Sequence, residues 1–129
     1  MRCLNTILLV DDYDADTFLY KRVIRSSGAA EQVEVARNGQ EALDYLARAE
    51  QPPELILLDI NMPVMNGWQF LEAYAGLPPE RRAQAVYVML TAELSAADEA
   101  RMRDGGLVQG FERKPLRPAA LEALIDAHF

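Results

Sequence analysis

The sequence contains few residues of several types, and each shortage excludes a class of protein. The single cysteine, Cys3, cannot form an internal disulfide, and no CxxC pair or Cys/His cluster is present to hold zinc. No apolar run approaches the roughly 20 residues that cross a bilayer, and the run at 7–10 is too short for a signal peptide. We therefore expect a protein of the reducing cytoplasm.

Positive charge is also scarce, since 13 Lys and Arg residues face 20 Asp and Glu residues and leave a net charge of −7. This balance disfavours direct binding to nucleic acid or to an anionic membrane surface. The 129 residues are 50% hydrophobic and 26% charged, which suffices for one hydrophobic core. We expect one domain over residues 1–129, with no output domain.

Apolar, β-branched runs alternate with helical patterns along the chain. The runs predict strands at 6–10, 32–36, 55–58, 86–90 and 110–112. Between them, apolar residues recur every three or four positions, which predicts helices. The first helical stripe consists of Phe18, Leu19, Val23 and Ile24. Right-handed β–α–β connections then predict a doubly wound, flavodoxin-like (βα)5 α/β fold with a five-stranded parallel sheet.

Polar residues follow the predicted strands where each one ends. Asp11 and Asp12 follow the first strand, Asp59 the third, Thr91 the fourth and Lys114 the fifth. Binding sites of parallel sheets lie at this edge, and three converging carboxylates repel one another unless a cation lies among them. Oxygen ligands favour Mg²⁺ or Mn²⁺. A carboxylate such as Asp59 can act as a nucleophile toward phosphorus, with Lys114 and Thr91 balancing the phosphoryl charge.

Two further acids follow the first pair. We interpret Asp14 and Asp16 as residues that cap the first helix and complement its dipole. The spacing of Asp12, Asp14 and Asp16 imitates a calcium loop, but Thr17 and Val23 stand where such a loop needs glycine and glutamate. We therefore expect no calcium site.

Five segments together resemble the receiver domain of two-component response regulators, especially its stand-alone, chemotaxis-regulator-like form. The segments are Leu9–Asp12, Leu57–Pro63, Asn66-Gly67, Leu90–Ala92 and Lys114-Pro115. They follow the order and spacing of that family, and the resemblance extends over essentially the whole chain.

The resemblance implies that Asp59 accepts a phosphoryl group from a sensor histidine kinase or a histidine phosphotransfer protein. Asp12 and Asp59 would bind Mg²⁺ directly, with the backbone carbonyl of Asn61, whereas Asp11 would act mostly through water. The domain would assist its own phosphorylation and dephosphorylation without being an enzyme. It would signal, as a monomer or weak homodimer, by altered binding to a downstream protein.

The resemblance also implies a switch. Thr91 and Lys114 would hold the phosphoryl oxygens, and Phe111 lies three residues before Lys114, where the family carries its switch aromatic. Thr91 would move toward the phosphate, and Phe111 would turn into the space that it leaves.

Three other functions are compatible with parts of the pattern. A phosphohydrolase of the haloacid-dehalogenase type uses similar residues, but it needs a second acid where this chain has Asn61. A flavodoxin-like FMN binder needs a loop rich in hydroxyls and glycine after the first strand, whereas the loop at 11–16 is acidic. A receiver-like module that only binds partners would not need the complete set of acids, Thr91 and Lys114.

Overall fold

The computed structural model describes residues 1–129 and alternates five strands with five helices. The strands are Leu4–Val10 (β1), Ala30–Ala36 (β2), Leu55–Asp59 (β3), Ala85–Leu90 (β4) and Gly110–Arg113 (β5). The helices are Asp14–Ser27 (α1), Gly39–Arg48 (α2), Gly67–Tyr74 (α3), Ala96–Arg103 (α4) and Pro118–His128 (α5). Short 3₁₀ turns lie at Pro79–Arg81 and Asp104–Gly106. No helix has the length and apolar character needed to cross a membrane.

The five strands form one parallel sheet in the order β2-β1-β3-β4-β5. The chain therefore places β2 on one side of β1, at one edge of the sheet. It then returns to the other side of β1 with β3 and adds β4 and β5 toward the opposite edge. This confirms the predicted doubly wound fold, and it places the topological switch point between β1 and β3. Ligands of open α/β sheets bind at the carboxyl ends of the strands at such a point.

The core has two halves, one on each face of the sheet. Ile7 and Leu9 of β1 face one half together with residues of α1 and α5. Leu8 and Val10 face the other half together with residues of α2, α3 and α4. Because both faces of the central strands are covered, β1 is continuously apolar from Ile7 to Val10 and β3 from Leu55 to Leu58. The edge strand β2 instead exposes Glu31, Gln32 and Glu34 and half-buries Val33 and Val35.

The inward face of α1 differs from the predicted stripe. Of the predicted stripe, Ile24 is fully buried and Val23 packs partly buried against the core, whereas Phe18 and Leu19 are 64% and 42% exposed. The buried residues of this helix are Thr17, Tyr20 and Ile24. Two of the three carry a hydroxyl group, so apolar periodicity alone identifies only the C-terminal part of the buried face.

The buried hydroxyl of Tyr20 forms no hydrogen bond within the protein. An unpaired buried hydroxyl destabilises a fold, so we expect Tyr20→Phe to raise the free energy of unfolding by about 1 kcal/mol. The matched control is Tyr74→Phe, because the hydroxyl of buried Tyr74 accepts a hydrogen bond from the backbone N–H of Ala83 at 2.8 Å. That variant should be destabilised in urea unfolding. Equal effects of the two substitutions would contradict the prediction.

Candidate functional site

Three carboxylates meet at the switch point of the sheet. Asp11 and Asp12 follow β1 directly, and Asp59 ends β3. One carboxylate oxygen from each lies within 4.8 Å of the others. Asp11 is only 1% exposed, and the other two side chains are half-buried. The predicted convergence of the three acids is therefore present in the fold.

Backbone hydrogen bonds fix the loop that carries the first two acids. The N–H of Asp11 donates to the carbonyl of Ala36 at 3.0 Å, which extends the β1–β2 ladder by one residue. The N–H of Tyr13 donates to Oδ1 of Asp11 at 2.9 Å. Arg37 donates from Nη2 to the carbonyl of Asp12 at 3.3 Å and also pairs with Asp14. The loop is thus tied to the end of β2, which limits the positions of its carboxylates.

Lys114 provides the positive charge of the site. Its backbone N–H donates to the carbonyl of Leu90 at 2.8 Å, so the chain beyond β5 stays paired with β4. Its Nζ lies 2.7 Å from Asp16, 3.1 Å from Asp11 and 3.3 Å from Asp59. The side chain is 10% exposed. One ammonium group therefore contacts three carboxylates in a partly dehydrated environment.

Burial and charge act in opposite directions on these groups. Burial raises the pKa of Asp11 and of Asp59, and the nearby ammonium of Lys114 opposes both shifts. Burial alone would lower the pKa of Lys114, but the hydrogen bond to Asp16 and the surrounding negative charges raise it. Lys114 is therefore protonated at neutral pH. One ammonium does not neutralise the carboxylates around it, so the site favours an additional cation.

The loop after β3 lies directly against the start of α3. The N–H of Gly67 donates to the carbonyl of Ile60 at 2.7 Å. Asn66 caps α3 by accepting a hydrogen bond from the N–H of Gln69, whose side chain accepts one from the N–H of Asn66 in return. This capping box fixes the path of the chain just beyond Asp59.

A cavity of about 250 Å³ lies beside the acids, between the loops that follow β3 and β4. Asp59, Asn61 and Thr91 all line it, together with Trp68 and Glu93. The structure thus places three of the predicted site residues on one space that is large enough for a phosphoryl group. Thr91 and Asn61 are exposed, so solvent reaches this space.

Phe111 lies on β5, half-buried, and packs against the core half that contains α2, α3 and α4. The guanidinium carbon of Arg103, at the end of α4, lies 4.9 Å from the centre of the phenyl ring. The ring of Phe111 therefore forms a contact between β5 and the end of α4.

The sequence pattern does not predict the contact between Asp16 and Lys114. Asp16 does lie in the first turn of α1, as expected, but the N-cap residue is Tyr13 and no side chain caps the helix. The carboxylate of Asp16 instead points at Lys114, 98 residues away in the chain. Its spacing of four residues from Tyr20 would have indicated an inward position, provided that Tyr20 had been recognised as buried.

The chemistry of this arrangement follows from its donor set. Three carboxylate oxygens within 4.8 Å of one another suit a hard divalent cation such as Mg²⁺, and the residues present fit that ion. The ammonium group of Lys114, 3.3 Å from Asp59, and the hydroxyl of Thr91, which lines the same cavity as Asp59, are groups that can stabilise the charge of a phosphoryl group.

Comparison with known proteins gives a consistent result. The family described as response regulator receiver domain matches residues 7–126. The polar-differentiation response regulator DivK of Brucella anthropi is 36% identical over 112 residues, which are 86% of this chain and 85% of that protein. The probable methanogenesis regulatory protein FilR2 of Methanothrix harundinacea is 30% identical over 124 residues, covering 93% of this chain and 78% of that protein.

Solved structures agree with this assignment. The crystal structure of a two-component response regulator from Cytophaga hutchinsonii has a TM-score of 0.85 and 28% identity, and the match covers 98% of this chain and 97% of that one. The matched residues include both strand ends that carry the acids, as well as Thr91 and Lys114. The chain therefore belongs to the response regulator receiver domain family.

Proposed function

We propose that this chain is a single-domain response regulator whose Asp59 accepts a phosphoryl group from a phosphohistidine. Receiver domains are phosphoacceptors rather than enzymes, and they interact with histidine kinases or phosphotransfer proteins and with downstream targets. The observation that carries the proposal is the position of Asp59. Asp59 is the last residue of β3, and its carboxylate lies 3.3 Å from Nζ of Lys114. Asp59 also lines the cavity that Thr91 lines.

The transfer is a single displacement at phosphorus. An oxygen of Asp59 attacks the phosphorus atom, the P–N bond to the donor histidine breaks, and the departing imidazole nitrogen keeps the electron pair and takes up a proton. The product is an acyl phosphate on Asp59. Lys114 and the hydroxyl of Thr91 bind the transferred oxygens and stabilise their charge. Attack of water on phosphorus later releases inorganic phosphate and regenerates the carboxylate.

Asp11, Asp12 and Asp59, with the backbone carbonyl of Asn61, would hold Mg²⁺, and Mn²⁺ suits the same oxygens. When bound, the ion neutralises charge that would otherwise repel the incoming phosphoryl group. The buried position of Asp11 and the tethered loop keep these oxygens in place before the donor arrives. Most of the barrier reduction then comes from orientation and charge neutralisation.

Output in this proposal occurs through protein binding. Thr91 moves toward the phosphoryl group, and Phe111 turns into the vacated space. This movement would separate the ring from Arg103 and alter the surface between α4 and β5. A downstream protein that binds one form of this surface better than the other would read the change as a population shift. We place this regulator in the cytoplasm, as a monomer or weak homodimer.

Acetyl phosphate with Mg²⁺, followed by intact-mass measurement, tests the proposal directly. We expect one added phosphoryl group on the wild type, and none on Asp59→Asn or in the presence of EDTA. Asp126→Asn is the matched control, because the exposed Asp126 lies on α5 and should label as the wild type does. Labelling that survives Asp59→Asn would overturn the site assignment. Repeated turnover of a phosphate ester would instead favour a phosphohydrolase.

A further inference from the structure

We propose that Asp16 is a positioning residue, whose carboxylate holds the ammonium group of Lys114 in place for phosphoryl transfer to Asp59. The effect on phosphoryl transfer rests on the proposed function. The contact between Asp16 and Lys114 is seen directly in the structure. Asp16 would act through Lys114 and would not bind the metal ion.

The first argument is distance. Of the three carboxylates around Nζ of Lys114, Asp16 is the nearest at 2.7 Å, ahead of Asp11 at 3.1 Å and Asp59 at 3.3 Å. An ammonium group has three N–H donors, so each carboxylate can accept one. Charge-assisted N–H···O bonds are strongest at about 2.7–2.9 Å, and only the bond to Asp16 lies in that range.

The second argument concerns which of the acids around Lys114 would also bind the cation. The cluster whose oxygens can share one cation consists of Asp11, Asp12 and Asp59, and Asp16 is not among them. A cation bound there would draw negative charge away from two partners of Lys114. Asp16 would keep its full charge for the ammonium group. It is therefore the partner that persists when the site is loaded.

The third argument is the rigidity of the support. Asp16 lies in the first turn of α1, and Tyr20 lies one turn later on the same face. Tyr20 is 2% exposed, so this part of the helix is fixed against the core. The side chains of Lys114 and Asp16 are 10% and 20% exposed, so the pair is much less hydrated than an ion pair on an open surface. A helix-borne partner holds the ammonium more firmly than a loop could.

Together these points give Asp16 a defined task. Lys114 must keep contact with an oxygen of Asp59 and then with the arriving phosphoryl oxygen, while its long side chain could adopt other rotamers. The bond to Asp16 removes that freedom before the donor binds. Pre-orientation of a charged group in this way lowers the barrier, and small misplacements are costly in rate.

The test compares Asp16→Asn with Asp126→Asn, which makes the same chemical change on α5. Asp126 is a fair control because its side chain is 55% exposed and pairs with the N-terminal ammonium of Met1, at 3.8 Å, rather than with Lys114. With acetyl phosphate as donor, no kinase surface is involved. We expect Asp16→Asn to label about tenfold more slowly than the wild type and Asp126→Asn to label within about twofold of it.

A second comparison separates action through Lys114 from general damage. In a Lys114→Ala background, adding Asp16→Asn should leave the already slow labelling rate unchanged, because the group that Asp16 positions is gone. If the two substitutions slowed labelling independently, so that their effects multiplied, the positioning role would be wrong. Urea unfolding of each variant shows whether it is folded under the labelling conditions, so that the rates compared are those of folded proteins.

A spectroscopic readout tests the contact without any phosphoryl transfer. The chain has only two lysines, so the side-chain NMR signals of Lys114 can be assigned with Lys21 as an internal reference. Asp16→Asn should shift the signals of Lys114 and leave those of Lys21 in place, whereas Asp126→Asn should leave those of Lys114 in place. Unchanged Lys114 signals in Asp16→Asn would overturn the inference. Absence of labelling in the wild type would instead overturn the proposed function.

Discussion

Replacing Gly67 with alanine is expected to lower the free energy of unfolding by about 2 kcal/mol and to slow labelling of Asp59. A Cβ atom at this position would lie 2.8 Å from the carbonyl oxygen of Asp59 and 2.9 Å from Cα of Ile60. Both are backbone atoms, so no side chain can rotate to make room. Either α3 must move away from the sheet edge, or the chain just after Asp59 must shift.

The control for this substitution is Gly76→Ala, which makes the same chemical change elsewhere. The nearest atom to a Cβ there is the carbonyl oxygen of Ala73 at 3.4 Å, so the added methyl group meets nothing that must move far. Urea unfolding and the acetyl phosphate labelling rate should both separate the two variants. A Gly67→Ala protein as stable and as quickly labelled as Gly76→Ala would show that α3 does not constrain the site.

The sheet was predictable because its pattern depends on local sequence. The central strands β1 and β3 are covered on both faces, which makes them apolar from Ile7 to Val10 and from Leu55 to Leu58, and an aspartate follows each of these runs. The alternation of strands and helices then leaves few topologies, since β–α–β connections are right-handed. The same rule predicts that Asp11, Asp12 and Asp59 share one edge, and their oxygens do lie within 4.8 Å.

The rotation of α1 was not predictable in this way. Its exposed positions include Phe18 and Leu19, and its buried positions include Thr17 and Tyr20. Hydropathy therefore identifies the buried Ile24 but gives the wrong residues in the first half of the helix. The hydroxyl of Thr17 is satisfied within the helix, by the carbonyl of Asp14 at 3.1 Å, which makes its burial possible. Such compensation depends on three-dimensional contacts and leaves no mark in the spacing of apolar residues.

Because the burial of Tyr20 cannot be predicted from hydropathy, the sequence alone gives Asp16 as an ordinary residue at the start of a helix. Acids are common in first turns because they complement the helix dipole, and Asp14, which is exposed, fits that description. Asp16 differs only because α1 is rotated so that this position faces Lys114. Partners 98 residues apart become neighbours because α1 packs against α5 and Lys114 lies between β5 and α5, which no local pattern reports.

In the absence of divalent cations, Asp59→Asn is expected to be more stable than the wild type at neutral pH. Burial raises the pKa of Asp59 above the value of 3.8 that an unperturbed aspartate has. The folded protein then binds the proton more tightly than the unfolded chain does, so ionisation of Asp59 destabilises the fold above the folded-state pKa. The amide of asparagine avoids this cost, and Lys114 keeps Asp11 and Asp16 as partners.

The pH dependence has a definite sign. As the pH falls through the raised pKa of Asp59 toward 3.8, the wild type regains the stability that ionisation had removed. The advantage of Asp59→Asn should therefore shrink on going from pH 7 toward pH 4 in EDTA. Comparing the two proteins at each pH cancels the titration of the surface ion pairs that they share.

Addition of Mg²⁺ should reverse the order of stability at neutral pH. An ion that binds only the folded protein adds about 2.7 kcal/mol when its concentration is 100 times its dissociation constant. The wild type should gain this amount, whereas Asp59→Asn lacks one of the three carboxylates that can share the ion and should gain less. Urea unfolding in EDTA and in Mg²⁺, with Asp126→Asn as the exposed control, measures both differences. The opposite result, an Asp59→Asn protein that is less stable than the wild type in EDTA at pH 7, would contradict this explanation. It would show that the buried charge of Asp59 does not destabilise the cation-free fold.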